Sequence, residues 1–306
     1  MNLKYSAVIG ANGQDGFLMT RYLLKKKINT IAIIHKNNDK IIKIKNTRLK
    51  IIRISKFTIR NLAILKKFNI DNFYFFSGYS KIPKNKLEEK ICKASNYEIL
   101  RIFLIFYYKN FNKSKLLYLS SGEVFGKNQY YSKNENSKFS EENCYSSCKI
   151  KSHKLIDSYI KKKLFISIGI CYNHESLFSP KSHLIPTLIK KLNSSSKSLK
   201  FFNVDEYRNF SHAYDFIPFF KKILSLKKPD KFILANDKNY RIKDLIKLIE
   251  KCLKIKKDIK FVLKSSMSSR KATNIKIKNK LNYKPIFSTE ELIIRMCSYY
   301  RRGYFN

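Results

Sequence analysis

Tyr145 and Lys149 bracket three residues in Tyr145-Ser146-Ser147-Cys148-Lys149, and on a helix two residues four apart share one face. An ammonium beside a phenol favours the phenolate and lowers its pKa, so the pair offers a base near neutral pH. In a chain with 53 lysines and 20 tyrosines the spacing also arises by accident, as an ordinary amphipathic helix start. Two other stretches give it weight. Ser120-Ser121-Gly122-Glu123 sets a hydroxyl and a carboxylate together, and Gly10-Ala11-Asn12-Gly13-Gln14-Asp15-Gly16 places three of the chain's eight glycines within seven residues. Glycines so spaced allow a tight turn, close backbone approach to a pyrophosphate and close helix packing. The three stretches together point to an enzyme.

The elements that must position these residues follow from the apolar pattern. Lys4 to Gly10 reads as a buried strand and Phe17 to Lys27 as an amphipathic helix with Leu18, Tyr22 and Leu23 on its apolar side. The glycine turn therefore joins a strand to a helix whose free N–H groups face the turn, the context a dinucleotide fingerprint needs. Further strands at Thr30 to Ile34, Leu49 to Ile54, Asn72 to Ser77, Leu116 to Ser120 and Leu164 to Cys171 alternate with helices at Thr58 to Phe68, Lys86 to Phe111 and the stretch carrying Tyr145. This alternation predicts an α/β fold, a Rossmann-type doubly wound parallel sheet. Ser121 and Glu123 then lie past the carboxyl end of a strand, where ligands bind in open α/β sheets. Residues 1–172 read as the dinucleotide-binding domain, which the chain revisits near 205–228, and 173–306 as a smaller C-terminal lobe. Pro180 and Pro186 flank a break at the start of that lobe.

After the second strand, His35-Lys36-Asn37-Asn38 stands where an acid would meet the adenosine ribose of NAD. A basic pair there favours the 2′-phosphate of NADP, with NAD still possible; a solvated Lys36 is the alternative. The formal net charge is +42. A basic protein binding nucleic acid or an anionic membrane is the rival reading, but the lysines are scattered through every segment and read as solvated surface. The positive field suits an anionic substrate such as a nucleotide sugar. The six cysteines form no Cys-x-x-Cys pair, which argues against zinc and for reduced, mostly buried thiols. The N-terminus leads straight into a strand, no signal-type apolar block precedes it, and no apolar run reaches the ~18 residues of a membrane span. A cytoplasmic protein without a membrane partner is expected.

Several of these stretches resemble the extended short-chain dehydrogenase/reductases that act on nucleotide sugars, and among them the GDP-mannose 4,6-dehydratases. Gly13-Gln14-Asp15-Gly16, Ser120-Ser121-Gly122-Glu123-Val124-Phe125-Gly126 and Asn173-His174-Glu175-Ser176 carry the likeness. So do Arg208-Asn209-Phe210-Ser211-His212-Ala213-Tyr214-Asp215 and Lys280-Leu281-Asn282-Tyr283-Lys284-Pro285. The resemblance implies Ser121, Glu123, Tyr145 and Lys149 as catalytic residues. It implies Gly10, Gly13, Gln14, Asp15, Gly16, Lys36, Ser77, Tyr145, Lys149 and Asn173 around NADP, and Ser80, Asn173, Glu175, Arg208 and Arg270 around the nucleotide sugar. Asn96 is similar to an asparagine that braces the active-site lysine through water, whereas His153 reads as structural. No metal is implied, and a homodimer or homotetramer is. Leu177-Phe178-Ser179 replaces basic residues of the family pattern, and no acid follows the third strand at Ile54-Ser55. The rival activities on the same fold are a 4-epimerase, a 4-keto reductase and a decarboxylase; a decayed enzyme is another. Glu123 as a loop carboxylate and solvated Arg208 and Arg270 are the plain alternatives for those residues.

Overall fold

The structure is a computed structural model that describes residues 3–35, 41–262 and 269–304, with the backbone alone at 128–130. In its first part β1 (Lys4–Ile9), α1 (Gln14–Lys25), β2 (Asn29–Ile34), β3 (Leu49–Arg53), α2 (Ile59–Leu62) and β4 (Asn69–Phe75) follow one another. Next come α3 (Lys86–Lys93), a π-helical turn at Ala94–Glu98, α4 (Ile99–Asn110), β5 (Lys115–Ser121), a 3-10 turn at Gly122–Phe125, β6 (Asn128–Lys133), α5 (Cys144–Lys161) and β7 (Phe165–Cys171). The remainder is β8 (Asn173–Glu175), α6 (Leu184–Leu192), β9 (Ser198–Phe202), β10 (Tyr207–His212), α7 (Ala213–Leu224), β11 (Lys231–Leu234), β12 (Asn239–Arg241), α8 (Ile242–Leu253), β13 (Asp258–Val262), β14 (Ser269–Ala272), α9 (Ile275–Leu281) and α10 (Thr289–Arg301).

The chain forms two compact units. Unit 1 comprises Met1–Val124, Phe139–Ile170 and Ile217–Phe232; unit 2 comprises Phe125–Lys138, Cys171–Phe216 and Ile233–Asn306. The sheet that runs through unit 1 has the order β11-β7-β5-β4-β1-β2-β3. Its pairings of β1 with β2 and β4, β2 with β3 and β4 with β5 are all parallel. The predicted doubly wound α/β fold is therefore the observed one. The chain winds outward from β1 in both directions, so the loops leaving β1 and β4 part at a switch point where such sheets bind ligands. Aromatic residues from β4, β5 and α4 fill the layer behind it: Phe73 meets Phe103 and Tyr107 edge-on at 5.5 and 5.6 Å, and Phe75 and Tyr118 are buried beside them. Edge-on rings at this separation add to the burial of large apolar area.

In unit 2, β10 pairs in parallel with β14 and β8 and antiparallel with β12. A separate core packs Ile185 and Ile189 of α6 with Leu245, Ile246 and Ile249 of α8 and Leu292, Ile293 and Met296 of α10. Two expectations are corrected. Pro186 does not mark a break but lies in the first turn of α6, where its missing N–H would have had no intrahelical acceptor. The single helix expected from Lys86 to Phe111 is interrupted by the π turn.

Candidate active site

Gly10 follows β1 with φ +82°, and a Cβ there would lie 2.7 Å from the Ser77 nitrogen just past β4. A Cβ on Gly16 would lie 2.2 Å from the Gly10 carbonyl oxygen. No side chain fits at either place, and the left-handed φ favours glycine again at Gly10. Gly13 is the N-cap of α1 and makes no side-chain cap bond, so the first-turn N–H groups face the turn with Asp15 beside them, a charge suited to a helix N-terminus. The result is a backbone floor stripped of Cβ atoms at the switch point, which fits a dinucleotide pyrophosphate. Gln14 is buried and its Nε2 donates to Asp15 Oδ1 at 3.4 Å. Ser77 is half-buried against Gly10 and Ser80 is exposed. At the end of β2, His35 Nδ1 sits 3.1 Å from the Ile54 carbonyl oxygen; Lys36 lies outside the described residues.

Asn143 caps α5 by accepting from the Ser146 N–H at 3.0 Å, while Ser146 Oγ accepts from the Asn143 N–H at 3.1 Å. This reciprocal cap fixes the helix start and sets Tyr145 in its first turn, one turn before Lys149. Lys149 is 6% exposed. Its Nζ donates to the Leu119 carbonyl oxygen at 3.0 Å and stands 4.9 Å from the Tyr118 ring centre and 5.9 Å from that of Tyr145. Burial pushes the Tyr145 phenol above its ordinary pKa; the Lys149 charge and a hydrogen bond with Ser121 pull it down, and Glu123 pushes it up. The lysine therefore acts in the expected sense but does not prevail. Removing the phenolate from water outweighs it, a correction to the reading of Tyr145 as a base already lowered to neutrality. Ser121 Oγ accepts from the Glu123 N–H at 3.3 Å, so Ser121, Glu123, Tyr145 and Lys149 belong to one cluster.

The π turn presents Asn96 to this cluster. Its Nδ2 donates to the Tyr79 carbonyl oxygen at 3.0 Å and to Cys92 Sγ at 3.3 Å, and its carbonyl oxygen accepts from Ser152 Oγ at 3.1 Å. Asn96 Oδ1 is buried without a hydrogen-bond partner. Gly78 lies beside both: a Cβ on it would meet Asn96 Oδ1 at 2.6 Å and Lys149 Nζ at 3.7 Å. An extra residue in a helical turn is a recurrent means of aiming a side chain at a functional site. His153, one turn past Lys149, is buried with Nε2 2.7 Å from Ser120 Oγ and its ring edge-on to Phe139. Burial, then Lys231 and Lys149, hold its pKa down to about 3, so it stands neutral behind Ser120.

Cys92 of α3 and Cys144 and Cys148 of α5 bring three sulfurs within 4.8 Å of one another. Sequence spacing pairs only Cys144 and Cys148, four apart on one helix face, and gives no sign of Cys92, which comes from a separate helix. Burial pushes the Cys92 thiol up, and burial followed by the neighbouring cysteines pushes Cys148 up to about 12. Cys92 and Cys148 therefore stay protonated as free thiols near neutral pH.

The other predicted residues belong to unit 2. Asn173 begins β8 and is half-buried. Glu175 is 1% exposed, and its Oε2 lies 3.2 Å from Nδ1 of His183, the N-cap of α6. Arg208 of β10 and Arg270 of β14 are register partners. Both bond to Glu206, a residue the sequence reading missed: Arg208 Nη2 at 3.1 Å from Oε1, and Arg270 Nη1 on the same oxygen. The signal available was its place two residues before Arg208, which in extended chain puts both side chains on one face.

Comparison with known proteins shows the family and the fold. The family described as GDP-mannose 4,6 dehydratase matches residues 7–296. A GDP-mannose 4,6 dehydratase of Drosophila melanogaster is 22% identical over 266 residues, covering 80% of this chain and 67% of that protein. Among solved structures, dTDP-glucose 4,6-dehydratase from Bacillus anthracis in complex with NAD superposes with a TM-score of 0.84 at 17% identity, over 98% of this chain and 97% of that one. UDP-glucuronic acid 4-epimerase from Bacillus cereus, in complex with UDP-glucuronic acid and NAD, gives 0.85 at 20% identity over 99% and 100%.

Proposed function

The chain belongs to the GDP-mannose 4,6 dehydratase family, and from that premise we propose that it is a nucleotide-sugar 4,6-dehydratase acting on GDP-mannose with NADP. The observation that carries the reading is the cluster of Ser121, Tyr145 and Lys149 with Glu123 beside the same serine. A 4-epimerase or 4-keto reductase needs the first three and has no use for the carboxylate, so Glu123 favours loss of water; the Asn173 to Ser176 run favours a dehydratase over a decarboxylase.

Gly10, Gly13 and Gly16, with Gln14, Asp15 and Ser77 around them, are the residues that would hold the cofactor's pyrophosphate, and the basic His35-Lys36 pair is the basis for preferring NADP. When bound, the cofactor supplies a hydride acceptor for C4, returns that hydride to C6, and in its oxidised form adds positive charge that aids phenol ionisation. Tyr145 takes the proton of the C4 hydroxyl, Ser121 orients that hydroxyl through its bond with the phenol, and Lys149 stabilises the phenolate against the cost of burial. Asn96 Oδ1 serves as an acceptor for a water that braces Lys149. The C4 ketone acidifies the C5 proton. Glu123 removes it, and the C6 hydroxyl departs with a proton as water. With hydride restored at C6 and a proton at C5, the product is a 4-keto-6-deoxy sugar and no net redox change has occurred. Arg208 and Arg270 are assigned to the diphosphate, for which guanidinium groups are well suited.

The test is incubation with GDP-mannose and catalytic NADP, followed by mass spectrometry and cofactor absorbance. Loss of one water per sugar without stoichiometric NADPH formation is expected. A product of unchanged mass would replace this reading with epimerisation, and inert GDP-mannose beside a reactive second nucleotide sugar would move the substrate alone.

A further inference from the structure

Arg208 and Arg270 stand directly opposite each other on the parallel strands β10 and β14. Like charges so placed repel unless an anion lies with them, and Glu206 provides one from within the chain. Its backbone is pinned, the carbonyl oxygen accepting from the Ile242 N–H at 3.0 Å. A single oxygen, Oε1, takes bonds from both guanidinium groups. Glu206 and Arg270 are buried, Arg208 is 22% exposed at its side chain, and Arg208 Nε is buried with no acceptor. Two positive charges against one negative leave the trio at +1, so it remains an anion-attracting site with donor capacity left on Arg208.

An oxygen shared by two guanidinium groups occupies the place that a phosphate oxygen takes when the same pair clamps a phosphate. Carboxylate and phosphate also repel each other, so simultaneous occupancy is opposed. We propose that Glu206 is an internal counter-anion that competes with the ligand's diphosphate for the Arg208–Arg270 pair and so sets the affinity for the anionic end of the nucleotide sugar. This rests on the reading above that the pair binds diphosphate. Binding is then an exchange of one anion for another. The pair is kept assembled in the free protein, and the ligand gains only the excess of a diphosphate over one carboxylate, which favours ligands with two phosphates over those with one.

Calorimetric titration of the full chain with GDP, GMP and inorganic pyrophosphate tests this. Glu206→Gln keeps the shape and removes the charge, and is expected to tighten GDP and pyrophosphate by about tenfold while narrowing the preference for GDP over GMP. Glu206→Asp, which retracts the carboxylate without deleting it, should tighten both by about two- to threefold and serves if the glutamine variant does not fold. Arg208→Gln and Arg270→Gln should each weaken binding. Unchanged or weaker GDP binding in the Glu206 variants, with the arginine variants impaired, overturns the competition and leaves the diphosphate assignment standing. If neither arginine variant alters GDP or pyrophosphate binding, the diphosphate assignment fails and the proposal with it.

Discussion

Lys149 in unit 1 and the Arg208–Arg270 pair in unit 2 are cations held largely out of water, and the chain handles their charge in opposite ways. Lys149 is met by a backbone carbonyl and two aromatic rings, groups that solvate an ammonium without cancelling it. Its field therefore reaches its neighbours, lowering the proton affinity of both Tyr145 and His153. The arginines are met by a full carboxylate, which cancels one of their two charges. A cation that must tune another group's protonation needs neutral partners, whereas a cation pair that must be held assembled for an incoming anion tolerates a resident one.

The largest effect that can break this contrast is Lys149→Met. Turnover should fall by about 10²–10⁴-fold with circular dichroism and thermal stability retained, since methionine keeps much of the buried volume and removing Lys149 leaves no buried counter-charge unpaired. Activity within a few-fold of the parent protein would show that the uncancelled charge has no catalytic use. Glu123→Gln comes next. It removes a charge that opposes Tyr145 ionisation and deletes the proposed base for C5, so water loss should drop by about 10²-fold or more while hydride exchange at C4, followed with deuterated substrate, persists. Dehydration at the parental rate would end the carboxylate's role.

The smallest effect is on stability. Because His153 titrates near 3 in the folded chain and near 6.5 when unfolded, the folded state binds fewer protons in that interval. Its contribution is complete above about pH 6.5 and is lost as pH falls toward about 3. Moving from pH ~7 to ~5 should cost about 2 kcal/mol through this group, or roughly 4 °C in Tm, and His153→Gln should flatten that part of the profile. An identical pH dependence in the variant would mean that the imidazole is not held neutral by its burial and the Lys149 field.

Sequence carried the sheet and the glycine turn far, because each rests on local rules. Runs such as Ser6 to Ile9 and Ile31 to Ile34 are apolar enough to be interior strands, and Gly10 and Gly16 answer steric demands that admit no substitute. The relation of Tyr145 to Lys149 was legible for the same reason, being a matter of helix pitch. The direction of the Tyr145 shift was not, since desolvation depends on what packs over the phenol. Glu206 escaped notice because its meaning depends on β14, which follows some 60 residues later and supplies Arg270. The π turn was hidden as well, because one added residue scarcely alters an apolar pattern over a long helix.

The cysteine trio gives this protein an internal clock. Cys144 is partly exposed, whereas Cys92 and Cys148 are buried and resist ionisation, so within the trio an alkylating reagent meets Cys144 first and the other two only when α3 and α5 part. Cys148 directly precedes Lys149, which means its slow labelling counts the openings of the same helical turn that holds the lysine. Ligands that quiet that turn should register as slower labelling of the Cys148 peptide, read apart from Cys171, Cys252 and Cys297 by mass spectrometry.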